Sequence, residues 1–148
     1  MSLPAGGFMA SAALFGLLVA VPARASAPAG RFTASVGVVH DSKTGLNWQQ
    51  AVSTTTYAYA KALTYCSGNV AALPGSGWRL PEIKELQALV DDSVPSPGPT
   101  IDASAFPSTP AEFFWSSTPD GAGFAFGVDF SIGSTGTNTG PDVVRCVR

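Results

Sequence analysis

The spacing of hydrophobic positions changes several times along the chain, and each change marks an element. From Phe8 to Val21 the run FMASAALFGLLVAV is apolar and uncharged, Pro22 then breaks it, and Ala23-Arg24-Ala25 follows with small residues at signal-peptidase spacing. The pattern predicts an export signal over residues 1–25, cut after Ala25. The run falls short of the roughly 20 residues that a membrane-spanning helix needs, so no membrane span is expected after cleavage. Residues 26–35 read as a short Ala/Pro/Gly linker and first strand, and residues 36–148 as one domain.

Within that domain, Val36–His40 and Leu46–Gln49 flank Asp41-Ser42-Lys43-Thr44-Gly45, a hairpin pattern. Asp41 can accept backbone N–H bonds inside the turn while Gly45 takes a positive φ. Tyr59, Ala62, Leu63 and Cys66 recur at helical spacing and predict a helix over Thr55–Ser67, ended by Gly68-Asn69. A second helix is expected from Pro81 to about Asp91, with Ile83, Leu86, Leu89 and Val90 on its apolar stripe and Glu82 and Glu85 in its first turn. The proline-rich stretch 92–112 reads as an ordered but irregular loop. Phe113–Ser117 starts a strand, and Phe124, Phe126, Val128, Phe130 and Ile132 alternate with Ala125, Gly127, Asp129 and Ser131, which predicts an antiparallel strand with one buried face. The GSTGTNTG segment, 133–140, reads as a hairpin turn into a last strand at Val143–Val147. The fold class is α+β: two helices packed on antiparallel strands with long irregular loops.

Composition sharpens this picture. Hydrophobic residues make up 45% and charged residues only 12% of the 148, so Ser, Thr, Gly and Asn must build the polar surface. Without Arg24 there remain seven cations against ten carboxylates. A chain without a basic cluster is not a nucleic-acid binder, because phosphate recognition needs concentrated Lys and Arg. Cys66 and Cys146 are the two cysteines, and an even count in an exported chain favours a bridge between them over a free pair. A zinc site would have too few ligands, since His40 stands alone and no CxxC occurs.

Several ordered segments carry a family resemblance: Asp41-x-x-Thr44-Gly45-Leu46-x-Trp48-Gln49, Tyr65-Cys66, Trp78-Arg79-Leu80-Pro81-x-x-x-Glu85-Leu86, Phe114–Thr118 and Val144–Arg148. Together they resemble the Lcl C-terminal domain family over about residues 36–148. The resemblance implies a C-type-lectin-like domain and an extracellular binding module, since the adhesin domain that names the family is associated with sulfated glycosaminoglycans and with trimers. Tyr59 and Phe126 stand where Trp is usual in the family, and both keep an aromatic ring. Sulfate recognition asks for more free Arg and Lys than this chain offers, with Arg79, Arg145 and Arg148 inside the shared motifs.

The candidate chemistry is sparse. His40 beside Asp41, with Ser116 and Ser117, lacks the setting of a nucleophile, and these are read as structural. Trp48, Trp78 and Trp115 can stack on sugars but more often fill a core at such positions. Arg79 is expected to pair with a carboxylate such as Glu85 or with a carbonyl. Asp91, Asp92 and Asp102 can offer hard oxygens to calcium, yet the lectin-type Glu-Pro-Asn and Trp-Asn-Asp ligand motifs are absent, so solvated helix-end or turn carboxylates and no cofactor are expected. Asp92, Asp102, Asp120, Asn138 and Asp142 are the candidate ligand residues on the loops. The expected function is non-enzymatic: a secreted, periplasmic or cell-surface module that binds a glycan or other surface polymer, with oligomers allowed. The alternative is an assembly subunit that binds an envelope protein.

Overall fold

The computed structural model describes residues 27–148, so the expected signal, residues 1–25, lies outside the described residues. Two three-stranded antiparallel sheets form the scaffold. The first has the order β1 (Phe32–Ser35), β2 (Val38–Asp41), β3 (Asn47–Gln49), and the second β4 (Phe113–Pro119), β5 (Ala125–Asp129), β6 (Ser134–Thr137). Helices α1 (Tyr59–Ser67) and α2 (Ile83–Gln87) lie between them in sequence. Among the described residues no helix is long and apolar enough to cross a membrane.

The β2–β3 hairpin forms as its sequence predicts. Gly45 sits at φ 75°, which only glycine adopts without strain, and its N–H donates to the Asp41 carbonyl at 2.8 Å. Beyond β3 the backbone pairing continues into the C-terminal segment. Asn47 N–H donates to Arg148 O, Gln49 N–H to Cys146 O, and Arg79 exchanges both backbone bonds with Val147. At its other end the same segment joins the second sheet, where Trp115 N–H donates to Val143 O and Val143 N–H to Phe113 O. The expected last strand is thus a run of isolated bridges and serves as the seam between the two sheets.

Tertiary pairing overrides local propensity at three other places. Helix α1 starts at Tyr59 rather than Thr55, because Tyr57 exchanges backbone bonds with Asp142 and keeps the preceding residues extended. Helix α2 spans five residues rather than eleven. Leu89 and Val90 N–H turn to carbonyls three residues back, and Asp91 N–H leaves for Thr100 O. The GSTGTNTG segment contains β6 itself, since Ser134–Thr137 pairs in register with Phe126–Asp129 and the turn lies at Phe130–Gly133.

The one-face expectation for Phe124–Ile132 also needs correction. Phe126, opposite Thr137 of the edge strand β6, and Ile132, in the turn, are 38% and 58% exposed, whereas Ala125 is fully buried. β5 is a central strand that buries residues from both of its faces, Ala125 on one and Val128 on the other. A side chain at Gly127 would run into the Phe114 carbonyl and the Phe113 ring, so only glycine lets β4 pack this closely. One face of the second sheet contributes Phe114 and Val128 to an apolar cluster with Val39, Trp48, Leu86, Leu89, Phe106 and Phe130. The other contributes Trp115 and Ala125 to a cluster with Ala62, Tyr65, Trp78, Leu80 and the two cysteines. A Cys66–Cys146 disulfide, with Cα atoms 5.4 Å apart, ties α1 to the seam.

Candidate functional site

The chain from Asp91 to Ala105 is the long excursion of the fold, and its sequence explains why it adopts no ladder. Pro95, Pro97 and Pro99 remove three N–H donors, so backbone pairing fails between its ends. The base is closed by the Val90–Ile101 bridge and by Asp91 N–H donating to Thr100 O at 2.9 Å. Thr100 then anchors the loop to the end of the second sheet, since its N–H and its hydroxyl both donate to Phe130 O, at 2.7 and 2.9 Å.

Two Asp-x-Ser turns shape the walls. Asp91 Oδ1 accepts Ser93 N–H at 2.9 Å and the Ser93 hydroxyl at 2.6 Å. Asp102 Oδ1 accepts Ser104 N–H at 2.9 Å, the Ser104 hydroxyl at 2.5 Å and Ala105 N–H at 3.2 Å. Burial pushes the Asp102 carboxyl up, but these three bonds outweigh it and hold the group below its ordinary value of 3.8. Both aspartates line a recess of about 410 Å³ together with Val94, Pro95, Pro99 and Ile101. A second recess of about 230 Å³ adds Asp92, Arg31 and Phe32, and a third of about 310 Å³ runs along Pro28–Gly30 to Ser104. Asp102 borders all three.

Among the described residues that line the recesses, Arg31 is the single cation, and it is already committed. Arg31 Nε and Nη2 donate to the two carboxylate oxygens of Asp41 at 3.0 and 2.8 Å, and Nη2 also donates to Ala88 O. The concave surface therefore presents carboxylate and hydroxyl oxygens above an apolar floor. Among the described residues no three His, Cys, Asp or Glu groups are grouped to hold a metal ion.

The five candidate ligand residues fall at three places. Asp92 and Asp102 reach the recesses. Asp120 organises the β4–β5 connection, its Oδ1 accepting Ala122 and Phe124 N–H at 2.8 and 3.0 Å. Asn138 and Asp142 meet each other, Asn138 Nδ2 donating to Asp142 Oδ1 at 2.8 Å. Reading the chain by single carboxylates missed Ser93, Ser104 and the residues at 28–32. The repeated Asp-x-Ser spacing on either side of the prolines was the signal available in sequence.

The motif residues pack or bond within the fold. Trp48, Trp78 and Trp115 are all buried, and Trp115 Nε1 donates to Tyr57 O at 2.8 Å. Pro81 is buried ahead of α2, and Ser117 N–H donates to its carbonyl. Arg79 grips Glu85 with two bonds of 2.7 Å, and this contact holds the Glu85 carboxyl below its ordinary value. Arg145 is fully buried: Nη1 donates to Gln49 O and Gln50 O, Nη2 to Thr109 Oγ1, and the guanidinium stacks 4.7 Å from the centre of the Phe106 ring. The Ser116 hydroxyl donates to Phe126 O, and His40 is exposed with its ring 3.3 Å from Asn47 Oδ1, so neither faces the other as base and nucleophile.

No curated protein and no solved structure matches the chain. A family model described as the Lcl C-terminal domain matches residues 37–148, which contain both sheets apart from β1, both helices, the recess loop and the seam. The chain belongs to the Lcl C-terminal domain family.

Proposed function

We propose that the domain is an exported, non-enzymatic binding module of C-type-lectin-like architecture, which holds a segment of a glycan or similar surface polymer around the 91–105 excursion. The observation that carries this reading is the meeting of three recesses at Asp102. An open, branched concavity suits a chain-like ligand better than a small enclosed substrate. Val94, Pro95, Pro99 and Ile101 offer apolar faces for the C–H edges of sugar rings, while Asp91, Asp102, Ser93 and Ser104 offer oxygens to hydroxyl donors. The carboxylate lining favours neutral or amine-bearing polymers over sulfated ones. A disulfide that staples the core fits an oxidising compartment outside the cytoplasm.

The test is glycan-array binding by the oxidised 26–148 chain and its Asp102→Asn variant, with and without chelator. Asn keeps an oxygen acceptor for the Ser104 turn but loses the charge, so the fold should persist while binding falls about tenfold, the value of one charge-assisted hydrogen bond. Chelator should leave binding unchanged. Silence across all glycans would favour an assembly subunit that binds an envelope protein.

A further inference from the structure

We infer that Asp142 is a proton-controlled latch: when protonated it seats the 138–142 segment firmly on Tyr57, and when charged it loosens that segment. This inference is independent of the proposed ligand. Asp142 is 6% exposed and lies where the chain between β6 and the seam docks onto the residues ahead of α1. Its N–H donates to Tyr57 O at 3.0 Å, and Tyr57 N–H donates to its carbonyl at 2.8 Å. The side chain is poorly served by comparison. Oδ1 accepts the one bond from Asn138, and Oδ2 is buried with no hydrogen-bond partner among the described residues. A carboxylate in apolar surroundings stays ionised only if a cation or several donors compensate it.

Among the described residues no such compensation faces it. Glu112, immediately before β4, is the charged group that acts on Asp142, and it has the same sign. Residues 55–58 and 138–141 contain no charge, and Lys61 of α1 is exposed to solvent. The Arg145 guanidinium, three residues on, is committed to Gln49, Gln50 and Thr109. Burial raises the Asp142 carboxyl from its ordinary 3.8 to about 6, with the Asn138 bond opposing and Glu112 adding to the rise. A group raised on docking binds its proton more tightly in the docked form. Docking is therefore strongest below about pH 4, weakens as the pH rises to about 6, and levels off above that.

Native-state hydrogen exchange at the Tyr57 and Asp142 amides, corrected for intrinsic rate, tests this between pH 4 and 7. In the native protein, protection should fall by about thirtyfold from pH 4 to 6 and by about twofold more up to pH 7, as linkage requires for a carboxyl raised from 3.8 to about 6. In Asp142→Asn, which keeps the Asn138 acceptor without a titrating proton, the Tyr57 amide should show no such fall. An equal fall in the variant overturns the latch, as does a fall shared equally by the β2 amides, which would mark global unfolding. Carboxyl NMR of the native protein provides a check that needs no variant: a midpoint near 6 supports the latch, and an ordinary carboxylate midpoint overturns it.

Discussion

Asp41, at the end of β2, and Asp142, in the chain between β6 and the seam, are both buried aspartates, and their different neighbours give them opposite behaviour. Burial pushes Asp41 up, but Arg31, the Lys43 N–H and the Thr44 hydroxyl together hold it below 3.8, whereas Asp142 has one neutral donor and rises. Asp41→Asn would leave the Arg31 guanidinium, only 10% exposed, without its counter-charge. The expected loss is roughly 3 kcal/mol of stability, read from urea unfolding at neutral pH. Arg145 makes a related case, because its acceptors are all neutral and burial lowers it to about 9. Its planar fork spans three acceptors on two segments, and a lysine ammonium cannot reproduce that geometry. Arg145→Lys should therefore cost about 2 kcal/mol or more in the same measurement, since buried carbonyls lose their donors.

At the scale of elements, short helices and strands hold because tertiary bonds finish them. Helix α2 has five residues and would not persist alone. Glu85 secures it twice, accepting the Glu82 N–H at 2.8 Å and gripping Arg79. Glu85→Ala should destabilise the domain by about 1 kcal/mol, a modest figure because Arg79 is nearly half exposed and water screens the pair. The effect should be present at pH 7 and vanish as the pH falls well below 4.5, since the native carboxyl is held low and contributes only while ionised. The hairpin at Asp41–Gly45 and the existence of both helices were legible in sequence, because turn chemistry and periodicity are local. The ends of those helices, the strand at Ser134–Thr137 and the two-faced burial of β5 were not, because each depends on a partner distant in sequence.

For the whole molecule, the disulfide closes a loop of 80 residues between α1 and the seam. Loop-closure entropy for that span corresponds to about 4 kcal/mol, so the Cys66→Ala/Cys146→Ala protein should unfold at markedly lower urea, provided it folds at all. The global pH profile should have a maximum. Asp41, Glu85 and Asp102 are all held low and withdraw stability as the pH drops below about 4, while Asp142 is raised and withdraws it as the pH climbs to about 6. Unfolding free energy measured at pH 3, 5 and 7.5 should accordingly be greatest at pH 5.

Sequence alone determined the turn at Gly45, the burial of Trp48, Trp78 and Trp115, the grip of Arg79 on Glu85, the pairing of Cys66 with Cys146, and family membership, because these rest on residue identity and short spacing. Tertiary structure decided which carboxylates share a surface. The chain carries ten acidic residues, and only the closure of Asp91 onto Thr100 and of Tyr57 onto Asp142 separates Asp91, Asp92 and Asp102, which border a recess, from Asp142, sealed without a counter-charge. Backbone bonds between distant segments fix solvation, and solvation decides what a carboxylate can do.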